Sequence, residues 1–185
     1  MKNYFIKFIA LTLFVFLISS CNSNKPAEEP ESQAAPATEN SGVTERTQLK
    51  SQTETALTEL SIALKDKQID QKDMYPVLKN FIEKNPGIIG SAFAFSPKEE
   101  NGTQIKTCPY VYKSNGTIME KDLINSYDYA AQKWFAEPVS LGQSKWSEPY
   151  FDDGGAGVNM ITYSIPVYTA DKKLIGVLTA DLLNQ

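Results

Sequence analysis

Apolar positions change their spacing several times along this chain, and each change marks a different kind of element. Phe8 to Ile18 is an apolar run interrupted only by Thr12. From Asn22 to Gly42 alanine is the only apolar residue, and Pro26, Pro30 and Pro36 oppose any helix. Thr44 to Lys67 then holds neither proline nor glycine. Leu57, Leu60 and Leu64 recur there at helical spacing, with Ala56 and Ala63 beside them, which predicts a long helix with one apolar stripe. Its first half, Glu45 to Glu54, reads as polar all round and is expected to project from the domain or contact a partner. Asp70 or Asp73 caps a second helix whose face carries Tyr75, Leu78, Phe81 and Ile82. Asn85-Pro86-Gly87 ends it.

After Gly87 the period falls to two. Ile88 to Phe95 predicts one strand and Thr103 to Lys113 another, with Pro109 placing the second at an edge or a bulge. Turns are expected at Glu100-Asn101-Gly102 and Ser114-Asn115-Gly116, the latter leading into Thr117-Ile118-Met119. Tyr129 to Ala136 reads as a short helix and Trp146 to Phe151 as a strand. Asp152-Asp153-Gly154-Gly155 turns the chain. Val158 to Tyr168 alternates, with Ile161, Tyr163, Ile165 and Val167 on one face, and Leu174 to Leu182 is the last strand. Two helices followed by a mostly antiparallel sheet, its last three strands a meander, make the fold class α+β.

The N-terminal run changes the picture of where this domain works. Lys2 and Lys7 precede it and Ser19-Ser20-Cys21 follow it, the positive, apolar, small order of a secretory signal. The run is too short to span a bilayer, which takes about 20 residues. Ile18-Ser19-Ser20-Cys21 resembles a lipobox, where bacterial signal peptidase II cuts before a lipid-modified cysteine. That resemblance implies a signal peptide at 1–20 and several acyl chains on Cys21, enough for stable anchoring. Residues 21–42 are then the lipidated cysteine and a disordered linker, with a reach of about 25 Å when flexible and about 60 Å when extended. Residues 43–185 form a single domain. The expected location is a membrane-anchored lipoprotein, periplasmic or on the cell surface. Glu28, Glu29 and Glu31 fit the acidic stretch that exports lipoproteins to the surface in some lineages.

Composition narrows the chemistry. There is no histidine, so serine–histidine and cysteine–histidine catalysis and imidazole zinc sites are excluded. With Cys21 lipidated, Cys108 is alone in an apolar segment and reads as a buried, inert thiol. The chain holds 18 basic and 22 acidic residues, and without residues 1–20 the balance is 16 to 22. No basic block stands out, which argues against nucleic acid as a partner. No cofactor or metal is expected.

Five segments carry a resemblance to a known family. They are Tyr127-Asp128-Tyr129, Trp134-Phe135, Trp146-Ser147-Glu148-Pro149-Tyr150, Ile161 to Tyr168, and Ile175 to Leu182. In this order and spacing they resemble a Cache domain, the extracellular ligand-sensing module of bacterial chemoreceptors, histidine kinases and cyclases. The resemblance implies a PAS-like antiparallel sheet with a long N-terminal helix and a second helix. It also implies a ligand site at Tyr127, Trp134, Tyr150, Asp152 and Asp181, with Gln132 where amino-acid-binding members carry arginine. A guanidinium grips a carboxylate through two charge-assisted hydrogen bonds, and Gln132 offers a neutral amide. The ammonium side remains, with two carboxylates and three aromatic rings able to surround a cation. The implied ligand is an amine, or an amino acid held differently.

The residues themselves leave alternatives open. Asp181 alternates with Val177 and Thr179, and either ends its strand in solvent or is paired in the interior. Asp152 is also what a plain turn requires. Trp134 and Trp146 are core anchors or ligand walls, with the core favoured for Trp146, and Tyr150 fits either place. The resulting expectation is a non-enzymatic, membrane-anchored sensor that binds a small amine or amino acid and signals through a separate protein. The chain ends three residues after the last strand, without a kinase or methyl-accepting region. The alternatives are an interaction lipoprotein without a ligand, or a hydrolase using Glu148, Asp152 and Asp153.

Overall fold

The apolar stripe of the first helix runs further than its leucines announce. In the computed structural model, which describes residues 39–65, 67 and 70–184, helix α1 spans Glu39–Leu64. Leu57 and Leu64 are buried, and Leu49, Ala56 and Leu60 pack against the same core. Thr53 is buried on this face with its hydroxyl donated to the Leu49 carbonyl. Ala63, expected on the stripe, is exposed. The helix begins ahead of the expected domain start at Val43 and stops short of Lys67. The expectation that Glu45 to Glu54 projects outward is corrected. Arg46 donates to Asn184, Lys50 lies 4.7 Å over the Trp146 ring, and Glu54 accepts the Trp146 indole N–H at 2.6 Å. Leu49 is the residue that breaks the polar reading. Cys21 and the proposed signal peptide lie outside the described residues.

Helix α2, Gln71–Lys84, is capped by Asp70, whose carboxylate accepts the Gln71 amide. Met74, Leu78, Phe81 and Ile82 form its buried face, and its polar residues lie outward. The strands follow: β1 Gly90–Phe95, β2 Lys98–Glu100, β3 Thr103–Ile105, β4 Pro109–Ser114 and β5 Thr117–Asp122. After two short 3₁₀ turns come α3 Lys133–Leu141, β6 Lys145–Trp146, β7 Tyr150–Phe151, β8 Asn159–Tyr168 and β9 Leu174–Leu183. The main sheet runs β5-β4-β1-β9-β8-β6, with β7 also on β8 and β2–β3 forming a separate hairpin. All pairings are antiparallel. The fold is α+β, as the spacing predicts.

Three expected elements are divided. Thr103 to Lys113 breaks into β3 and β4, and Pro109 is the first residue of an interior strand rather than an edge or bulge. A missing N–H costs nothing at a strand start. The helix expected over Tyr129 to Ala136 is a 3₁₀ turn, then α3 restarting after Gln132, whose ψ of 143° is extended. Trp146 to Phe151 is two strands separated by Ser147-Glu148-Pro149.

Strand alternation gives the sheet two working faces. Phe93, Val111, Ile161, Leu178, Ala180 and Leu182 meet α1 and α2 on one side. Ala92, Tyr110 and Val177 face the other way, under Tyr129, Trp134 and Phe135. The candidate site lies on this second face.

Candidate functional site

Asp181 sits near the middle of the sheet, opposite Thr162 on β8 and Gly90 on β1. It is 2% exposed, so the solvent reading of this residue is corrected. Apart from Thr179 the strand it stands on is apolar, and burying a carboxylate there demands partners. It has two. The Thr162 hydroxyl donates to Oδ1 at 2.8 Å, and the Tyr110 hydroxyl donates to Oδ2 at 3.1 Å. Burial and the neighbouring Asp152 push its carboxyl up to about 7, against the pull of those two hydrogen bonds. The second layer is Tyr150, whose hydroxyl lies 2.8 Å from Thr162 Oγ1.

Asp152 comes from the loop between β7 and β8. The turn chemistry expected of it is present, since its carbonyl accepts the Gly155 and Gly157 amides and its Oδ2 accepts the Ala156 amide at 2.6 Å. The same carboxylate also enters the cavity, 4% exposed, where Oδ1 accepts the Tyr127 hydroxyl at 3.4 Å. Burial raises its pKa, while the Ala156 N–H, Tyr127 and the Lys121 charge oppose the rise. A Cβ on Gly155 would stand 1.8 Å from Oδ2, so the loop needs glycine there.

Aromatic side chains close the space between the acids. Trp134 opens α3 and is 7% exposed. Tyr127, Trp134 and Tyr150 line the cavity with both aspartates. Burial raises the hydroxyl pKa of Tyr127 and Tyr150, and burial with the Asp181 charge raises that of Tyr110. The cavity among these side chains is small, with about 10 Å³ open to the centre of a water molecule.

Five of the six residues singled out by sequence therefore meet at one cavity. Gln132 does not line it. It lies between the 3₁₀ turn and α3, and its amide reaches the Asp128 carbonyl at 3.5 Å. Trp146 stays on the opposite face against Tyr163, as its core reading has it. Glu148 and Asp153 are exposed and do not line the cavity. Cys108 is buried, and burial with Asp122 and Asp181 pushes its thiol well up, which keeps it unreactive. Among the described residues no cluster of acidic or cysteine side chains forms a metal-binding group.

Sequence reasoning missed Tyr110, Thr162 and Thr179, which line the same cavity. Thr162 was legible as a polar residue facing away from Ile161 and Tyr163. Tyr110 had no such signal, because Tyr110-Val111-Tyr112 reads only as strand.

The sequence family described as "Methyl-accepting chemotaxis protein-like, first PDC sensor domain" matches residues 74–184, more than half of the chain. The chain belongs to this family. Its PDC sensor domain is the Cache-type, PAS-like fold that the strand pattern resembles. No curated protein matches the sequence. Among solved structures, the extracellular domain soHK1S-Z6, described as that of a histidine kinase, is 29% identical with a TM-score of 0.65. The match covers 73% of this chain and 53% of that one. The ligand-binding domain of the Campylobacter jejuni chemoreceptor Tlp3, solved with L-valine, shares the fold at 18% identity and a TM-score of 0.53. That match covers 78% of this chain and 54% of that one. The chain thus spans about half the length of these solved relatives.

Proposed function

We propose that this protein is an extracytoplasmic receptor for a small amine or amino acid, held at a membrane by lipid on Cys21 and passing its signal to a separate protein. The observation that carries the reading is the cavity itself. Two buried acids, Asp152 and Asp181, face one space walled by Tyr127, Trp134 and Tyr150. Buried carboxylates without a cation are costly, and a cationic ligand removes that cost. Membership of a sensor family supports the reading. So does the Tlp3 domain, which was solved with amino-acid ligands. Among the described residues no helix is long and apolar enough to cross a membrane. The lipobox-like Ile18-Ser19-Ser20-Cys21 is what assigns anchoring to Cys21, and metabolic labelling with a radioactive fatty acid tests it, with loss of label expected in Cys21→Ser.

A thermal-shift screen tests the ligand. The full-length chain is challenged with amines, amino acids, small carboxylates and nucleobases. A ligand at a hundred times its dissociation constant adds about 2.7 kcal/mol, or about 5–10 °C for a domain of this size. The expected hit is an amine or amino acid whose effect disappears in Asp181→Ala. A hit indifferent to Asp181→Ala removes the site. Silence across the library removes the receptor reading in favour of an interaction lipoprotein.

A further inference from the structure

The chemistry of the cavity lining separates classes of cation. Its charged side chains are both acids, and neither lysine nor arginine lines it. Lys121, whose charge reaches Asp152, is engaged outside the cavity. Its ammonium donates to the Gly154 and Gly155 carbonyls at 2.7 and 3.0 Å and lies 5.3 Å over the Tyr112 ring. Gln132 turns its amide to the Asp128 carbonyl. Neither is placed to hold an anion in the cavity.

The hydroxyl protons are committed as well. Tyr110 and Thr162 donate to Asp181, and Tyr127 donates to Asp152. With the Thr162 proton on Asp181, the Tyr150 hydroxyl donates to Thr162 Oγ1. The donors left in the lining, the Trp134 indole and the Thr179 hydroxyl, are neutral. A ligand carboxylate would be desolvated beside two acids with no charge-assisted donor, the arrangement that burial penalises most. An ammonium meets the opposite: two carboxylates with acceptor capacity to spare, among three aromatic side chains.

Size adds a second discrimination. The cavity admits about one water molecule. An –NH₃⁺ head is of that size and offers three N–H donors to the acids. A trimethylammonium head is several times larger and offers none. We propose that the cavity selects a primary ammonium whose own carbon bears no carboxylate, a primary amine in preference to an α-amino acid or a quaternary amine. This rests on the cavity being the ligand site, as argued above.

Two matched pairs of probes test it with the full-length chain at pH 8 by calorimetry. Isobutylamine and L-valine differ only by the α-carboxylate, and ethanolamine and choline only by three N-methyl groups. At least one primary amine is expected to bind, and each primary amine that binds is expected to do so at least tenfold more tightly than its matched partner. Asp181→Asn is expected to lose at least tenfold of that affinity with its circular dichroism unchanged. Should that variant fail to fold, Asp152→Asn carries the same expectation, because its amide oxygen still accepts the Ala156 N–H. L-Valine binding as tightly as isobutylamine, or choline as tightly as ethanolamine, overturns the inference and leaves the receptor standing. Binding of none of the four also overturns it. The wider screen then separates the two failures, since a hit among carboxylates keeps the receptor reading and silence removes it.

Discussion

Gly90 and Asp181 lie opposite each other on β1 and β9, and the missing side chain at Gly90 is the space in which the Asp181 carboxylate meets the Tyr110 hydroxyl. Tyr110 stands on β4, on the far side of β1, and reaches over the glycine to its partner. A Cβ at Gly90 would lie 2.4 Å from the Tyr110 oxygen and 2.7 Å from Asp181 Oδ2. Both atoms are ends of side chains, so they give way and the hydrogen bond is lost. Gly90→Ala is expected to destabilise the protein by about 1–3 kcal/mol in urea titration. Adding Tyr110→Phe to it should cost much less than the same change costs alone, because both remove one contact.

Stability should depend on pH in an unusual direction. The Asp181 carboxyl ionises at about 7 when folded and at an ordinary 3.8 when unfolded. The folded state therefore holds its proton more tightly, and the stabilisation is complete below pH 3.8 and lost as pH rises through 7. Without ligand, the protein is expected to be less stable at pH 8 than at pH 5, by about 2–3 kcal/mol from this one group. Asp181→Asn should flatten that dependence and be the more stable protein at pH 8. Equal urea midpoints for the unsubstituted protein at the two pH values would remove the assignment.

Ligand binding should release a proton. Below pH 7 the empty site keeps Asp181 largely protonated, and an ammonium requires it ionised. Calorimetry at pH 6 in phosphate and in MES, neither of them a primary amine, should give different binding enthalpies, their difference reporting close to one proton released. The difference should shrink toward zero at pH 8.5. A buffer-independent enthalpy at pH 6 would show that the ligand does not contact Asp181 as a cation.

Gly155→Ala should act through Asp152. The added methyl would meet the Asp152 carboxylate, which caps the Ala156 amide at 2.6 Å. Loss of this buried, charge-assisted bond is expected to cost about 1.5–3 kcal/mol. Hydrogen exchange at the Ala156 amide should accelerate more than at amides of β9.

Trp146 should report on helix α1. Its indole N–H is held by Glu54, and the Lys50 ammonium covers its ring. Glu54→Ala is expected to red-shift Trp146 fluorescence and cost about 1 kcal/mol, while Glu54→Gln, which keeps an acceptor, costs less than half of that.

The parts of this fold that sequence made plain are those whose cause is local. The period-two pattern of β8 and β9 put Asp181 on the face opposite Leu178, Ala180 and Leu182, where the structure has it. Its burial was not legible, because it depends on Tyr110 two strands away and on the absence of a side chain at Gly90. Leu49 and Glu54 read as part of a solvated helix face, but the turn after α2 sets Gly87 against Leu49 and strand β6 sets Trp146 against Glu54. The resemblance carried the order of the aromatic and acidic positions but not the place of Gln132. There Asp128 caps a separate 3₁₀ turn, and the helix restarts one residue later.

The two acids are mounted differently. Asp181 belongs to β9, which is hydrogen-bonded along both margins to β1 and β8. Asp152 rides a loop with left-handed glycines at 154 and 157, tied down by Lys121 and by its own carboxylate. One acid is carried by the sheet and the other by a loop. A cation gripped by both would therefore join the centre of the sheet to residues 152–157, adding a tie between two parts of the chain that are held by separate hydrogen bonds.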